Sequence, residues 1–151
     1  MKLFKHLKTS LLAIAFISFG AIAQDTNPQP AEVSDEELTN FASAYTEIQE
    51  ISMQTQQDMA KTVEESGFEI ERFNTIYASS QNPQAKVDAT DEEMKNFKKV
   101  MGEIEVIQQD MQKQTETVIT KKKLTVARYQ EVISAAQTDT ELQKRLQEKL
   151  Q

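Results

Sequence analysis

Carboxylates are the only abundant reactive side chains in this sequence, and they recur in register. Glu47 and Glu103 sit mid-segment, 56 residues apart, and the triplets Asp35-Glu36-Glu37 and Asp91-Glu92-Glu93 share the same offset. Paired carboxylates on facing helices can do acid–base work or hold two metal ions. A di-iron bundle also requires Glu-x-x-His motifs, and the only histidine is His6, in the N-terminal segment. Cysteine and tryptophan are absent. Ser-His-Asp and Cys-His nucleophiles, thiolate chemistry and the usual zinc, copper and haem ligand sets are therefore excluded beyond that segment. Met53, Met59, Met94, Met101 and Met111 have the softness copper(I) prefers, but most fall on apolar stripes, where methionine fills cores. Tyr45, Tyr77 and Tyr129 also lie on apolar faces. There is no Gly-rich phosphate loop, nucleotide fingerprint or calcium loop. The sequence implies no catalytic residue, no metal, no cofactor and no enzyme.

The elements that carry these residues form a repeat. Ser34 to Phe41 reads SDEELTNF and Thr90 to Phe97 reads TDEEMKNF. The offset holds without a gap through Gln81 and Gln137: Ile48 falls on Ile104, Ile51 on Ile107, Val63 on Ile119, Arg72 on Arg128, Phe73 on Tyr129 and Ile76 on Val132. A fixed period of this kind is one supersecondary unit used twice. Residues 34–81 and 90–137 are the two copies, and a C-terminal helix over 139–150 has no counterpart in the first.

Each copy opens on a capping box. The Ser34 and Thr90 hydroxyls can accept from the amides of Glu37 and Glu93, whose carboxylates can reach back to the cap amides. Apolar residues then recur at 3–4 spacing: Leu38, Phe41, Tyr45, Ile48, Ile51, Met59 and Val63, and Met94, Phe97, Met101, Ile104, Ile107, Met111, Val118 and Ile119. These are long helical stripes. Gly67 suits a left-handed helix end, and Lys121-Lys122-Lys123 closes the second long helix favourably for its dipole. Gly102 sits inside that helix and reads as a tolerated surface glycine. Short helices follow, from about Glu69 to Ser80 and after Thr125. Thr138-Asp139-Thr140-Glu141 reads as a third capping box opening the last helix, with Leu142, Leu146 and Leu150. Strand signals are absent, so the fold class is all-α.

A short helix covers only half of its own long partner, so Leu38, Phe41, Tyr45 and Ile48 need burial elsewhere, as do their repeat equivalents. The linker 82–89 decides how. Parallel long helices would force it back across roughly 30 Å at helical rise, nearly its full extended reach. Antiparallel long helices need about half that. The expectation is an antiparallel bundle of two long-short helix hairpins in which each short helix covers the other unit. Arg72 then lies beside Asp91, Glu92 and Glu93, and Arg128 beside Asp35, Glu36 and Glu37. Ser34, Glu37, Thr90, Glu93, Arg72 and Arg128 are thus candidate structural residues at the joints between halves.

Residues 1–23 read as a secretory signal: Lys2, Lys5 and Lys8, an apolar run from Leu11 to Ala21, then Ala21-Ile22-Ala23 as a cleavage site. The run is short for a membrane span. Residues 24–33, with Pro28 and Pro30, read as a flexible leader before a domain over 34–151. Cleavage leaves 14 basic against 24 acidic residues, a net charge of −10. That charge disfavours nucleic acid and anionic membranes as partners. The expected location is periplasmic or secreted, in a bacterium, as a monomer or homodimer with an unidentified protein partner.

The acidic caps, the stripe and the closing segment LTVARYQEVISAAQTDTELQKRL resemble an uncharacterised bacterial family, catalogued as domain-of-unknown-function family 4168. The resemblance is strongest over Leu124 to Leu146, with Phe68 to Ser80 a weaker copy. The family's usual glycine before Leu-Thr stands as Lys123 here and survives as Gly67 in the first copy. The resemblance implies an exported helical protein and carries over no site residues. Leu124-Thr125-Val126-Ala127-Arg128 also shares the opening of the LTxxQ motif of small periplasmic chaperones, ending in Arg. The function reading is a non-enzymatic interaction or structural protein of the cell envelope, with a holdase for unfolded clients as the alternative.

Overall fold

A computed structural model describes residues 32–82 and 88–151. The segment read as a signal (1–23), residues 24–31 of the leader and linker residues 83–87 lie outside the described residues. The chain forms α1 (Asp35–Glu65), α2 (Ile70–Ser80), α3 (Asp91–Lys121), α4 (Val126–Thr138) and α5 (Thr140–Lys149). The fold is an all-α bundle built on α1 and α3, each 31 residues long and so roughly 46 Å at helical rise.

The long helices are antiparallel, as the linker length requires, and they create two cores at opposite ends. The first joins Leu38, Phe41 and Ala44 of α1 to Val118 and Ile119 of α3, Tyr129 and Val132 of α4 and Leu142 of α5. The second joins Met59 and Val63 of α1 to Phe73 and Ile76 of α2 and Phe97, Val100 and Ile104 of α3. Each short helix thus covers the C-terminal end of its own long helix and the N-terminal half of the other. The ring pairs match at the repeat offset. Phe41 stacks on Tyr129 at 4.7 Å, and Phe97 meets Phe73 at 5.0 Å. The two short helices share no core, so the middle of the rod is held by α1 and α3 alone, with Ile51 and Ile107 half-buried there.

Both long helices end in the same hydrogen-bonded turn. Gly67 N–H donates to Glu64 and Phe68 N–H to Val63; Lys123 N–H donates to Thr120 and Leu124 N–H to Ile119. This is the Schellman pattern, with Phe68 and Leu124 tucked into the cores behind it. It requires a left-handed residue, and Gly67 (φ 84°) and Lys123 (φ 61°) supply it. Glycine adopts that backbone freely; lysine does so at a cost of roughly 1–2 kcal/mol. Lys123→Gly should therefore stabilise the protein by about 1 kcal/mol, less a few tenths for the lost cation at the helix C-terminus. The melting temperature should rise by several degrees. An unchanged or lower value would show that the strain is absorbed elsewhere.

Gly102 is exposed, and a Cβ there would meet nothing within 4 Å, so it marks no close helix crossing. Two readings of the sequence change. First, the cap of α5 is Asp139, not Thr138: Asp139 Oδ1 accepts from the Glu141 and Leu142 amides at 2.9 and 3.0 Å. Thr138 stays in α4 because the Asp139 N–H still bonds Ala135 O at 2.9 Å. Second, Glu32 and Val33, read as part of the leader, take part in the packing. Val33 is buried in the first core, and the Glu32 and Val33 carbonyls accept from Arg128 and Arg145.

Candidate functional site

The six candidate residues meet at two joints, one at each end of the rod. Capping geometry places the carboxylates first. At the α3 N-terminus the Thr90 hydroxyl accepts from Glu93 N–H at 3.1 Å, and Glu93 Oε2 accepts from Thr90 N–H at 2.8 Å. That bond turns the Glu93 carboxylate back over the first turn, where α2 delivers Arg72. The guanidinium donates from Nε to Oε1 at 2.9 Å and from Nη2 to Oε2 at 3.0 Å. Nη2 also reaches the carbonyl of Asp88 at 2.6 Å. The planar fork matches both carboxylate oxygens, which a lysine cannot do.

The second joint repeats the pattern with more partners. Arg128 of α4 donates from Nε to Glu37 Oε1 and from Nη2 to Oε2 at 3.0 Å. Nη2 reaches the Glu32 carbonyl at 3.2 Å, at the position equivalent to Asp88. Nη1 adds Glu131 at 2.9 Å. The Ser34 hydroxyl accepts from Glu37 N–H at 3.2 Å. The return pull of the Ser34 amide on Glu37 is the least of those that lower its pKa, so the box expected there is closed firmly only at Thr90.

Arginine sets the electrostatics of both joints. Arg72, then the Thr90 amide, hold the Glu93 carboxyl down at about 2. Arg128 likewise lowers Glu37. Both groups have folded-state pKa values below their ordinary ones, so their contribution is fully present above about pH 4.5 and is lost as pH falls through the folded values. The melting temperature should hold from neutral pH to about 5 and decline between about 4.5 and 2. In an Arg72→Met variant that decline should be shallower; an identical acid profile would show that the pair adds nothing to stability.

Two open crevices lie over the joints. One, of about 300 Å³, is bordered by Phe68, Arg72, Thr90, Glu92 and Asn96; the other, of about 470 Å³, by Val33, Ser34, Glu141, Leu142 and Arg145. Their arginines are already engaged. Glu47 and Glu103 do not meet: Glu47 pairs with Lys122 at 3.3 Å and Glu103 with Lys99 on its own helix at 3.6 Å. Among the described residues, no three carboxylates converge as a metal-binding group, and no buried side-chain polar atom lacks a partner. Arg–carboxylate forks of this kind fasten helix ends.

Several contacts escaped the sequence reading. Arg145 Nη2 bonds Asp35 at 2.7 Å and the Val33 carbonyl at 3.1 Å, with Lys149 at 3.8 Å from Asp35. Asn96 donates to the Ser66 carbonyl at 2.6 Å, fastening α3 to the α1–α2 turn. Arg145 lies between Leu142 and Leu146, so the face that buries α5 also brings its cation to α1. That spacing was a readable signal.

Among the described residues no helix is long and apolar enough to cross a membrane. Comparison with curated proteins and with solved structures returned no match. The sequence profile of the family described as Domain of unknown function (DUF4168) matches residues 18–86 and 34–146. The second match runs from the first cap through both joints into α5, and the chain belongs to this family.

Proposed function

We propose that this is a non-enzymatic interaction protein of a bacterial cell envelope, exported by the segment 1–23 and working in the periplasm or as a secreted protein. The observation that carries the reading is the division of labour among its side chains. The charged groups at the joints are consumed by the fold, while large apolar groups stand on the outside of four helices. Met53 and Val106 are 58% and 56% exposed, and Tyr45, Tyr77 and Ile133 are exposed as well. Exposed aromatic and methionine side chains on an otherwise charged surface favour contact with protein. Crosslinking in the native envelope, followed by mass spectrometry, should recover the same few partners in replicate. Recovery of nothing above background would overturn the reading.

A holdase for unfolded clients draws on the same exposed groups. Suppression of client aggregation at stoichiometric ratio would favour it, and absence of any effect would retire it.

A further inference from the structure

The last helix is joined to the rest of the protein by a single residue. Asp139 ends α4 and caps α5, and it is the one non-helical residue between Val126 and Lys149. Its backbone is extended (φ −102°, ψ 104°). Beyond it, α5 lies on the start of α1. Leu142 is buried in the first core with Leu146 packed beside it, and Arg145 bonds Asp35 and the Val33 carbonyl. Nothing in the first copy of the repeat corresponds to α5, and the second core joins the two long-short hairpins with no residue from it.

We propose that α5 exchanges between two copies of this chain, giving a symmetric dimer in which each α5 occupies the α1 groove of the other. The groove holds a helix with leucines four residues apart and an arginine between them, and a second copy carries that same helix. Only Asp139 must change. If it turns helical, α4 and α5 become one helix of 24 residues, long enough at roughly 36 Å to carry α5 off its own body. Every groove contact is then remade across the dimer, which is the condition under which exchange of an identical element is low in cost. This inference needs nothing from the envelope reading.

Two substitutions push the hinge in opposite directions. Asp139→Ala removes the carboxylate that caps α5 and leaves a strong helix former, so the straight form is favoured. Thr140→Pro places proline at the first helical position, where it is tolerated. It also holds residue 139 extended and blocks a continuous helix.

The test exploits the absence of cysteine from the chain. One tagged copy carries Asp35→Cys and a differently tagged copy carries Arg145→Cys. They are mixed at high concentration and treated with a short bis-maleimide. Exchange yields a crosslinked heterodimer. On the Asp139→Ala background the monomer–dimer constant, read by light scattering, should shift toward dimer by at least about tenfold, the weight of one helix cap. On the Thr140→Pro background the crosslink should be lost while the chain stays folded. A single chain with both cysteines should close on itself and so verifies reach. If it does close, and the mixed copies give no heterodimer in either the parent or Asp139→Ala form, the proposal is overturned. Equal crosslinking with Thr140→Pro would mark random collision and overturn it too.

Discussion

Replacing Phe41 by alanine should cost about 3–5 kcal/mol, the range for truncating a fully buried aromatic ring. Phe41 is only 1% exposed, and its ring lies between Tyr129 at 4.7 Å and Tyr45 at 6.3 Å. It belongs to α1, yet its main partner belongs to α4 at the far end of the sequence. The ring therefore joins the two halves rather than stabilising one helix. A domain of this size has about 5–15 kcal/mol in total, so the variant should approach unfolding at physiological temperature. Denaturant titration measures the loss. Hydrogen exchange then locates it: protection should fall first in α4 and α5, which share the core with Phe41, and last in α2, which does not. A loss under about 1.5 kcal/mol, or one spread evenly over both ends, would contradict the division into two cores.

Arg128→Ala should cost about 2 kcal/mol, and Arg72→Ala distinctly less. Both arginines make the same fork on an equivalent glutamate, but Arg128 adds Glu131. Its side chain is 25% exposed, against 36% for Arg72. Charge-assisted hydrogen bonds contribute roughly 1.5–3 kcal/mol when partly buried and under about 1 when exposed. Arg128→Lys should recover little, because an ammonium cannot bond both Glu37 oxygens and the Glu32 carbonyl in one plane. A double-mutant cycle with Glu37→Gln isolates the pair and should return a coupling of about 1 kcal/mol or more. Equal losses at the two arginines, or full rescue by lysine, would show that the forks contribute charge alone.

Much of this architecture was readable because it is periodic. The stripe from Leu38 to Val63 and its copy set the two long helices. The reach of a short linker set their direction, and that direction placed Arg72 beside Glu93 and Arg128 beside Glu37. Part of what escaped has a common physical cause: contacts to backbone carbonyls leave no trace in side-chain patterns. Asp88 and Glu32 accept through their main-chain oxygens, so their side chains announce nothing. The α5 cap was placed one residue early because Thr138 and Asp139 are both competent caps, and only the persistence of the α4 hydrogen bond at Asp139 decides between them. Lys123 stands where the first copy has Gly67, and its left-handed backbone shows that the turn has the same shape with either residue. The unequal fates of Glu47 and Glu103 follow from Lys122, which has Ser66 at the equivalent position of the first copy.

The two ends of the rod also differ in how far apart their pieces lie along the chain. Arg72 and Glu93 are separated by 21 residues, whereas Arg128 and Glu37 are separated by 91. Closing the longer loop from an unfolded chain costs roughly 1 kcal/mol more in entropy. Local contacts are also the ones that speed folding. The end built from α2 and the start of α3 is therefore the natural nucleus. Once it has closed, α1 and α3 already lie side by side, and the distant end is reached by zipping along them rather than by a search. The same duplication that makes the finished molecule nearly symmetric makes its assembly directional, from the centre of the chain outward.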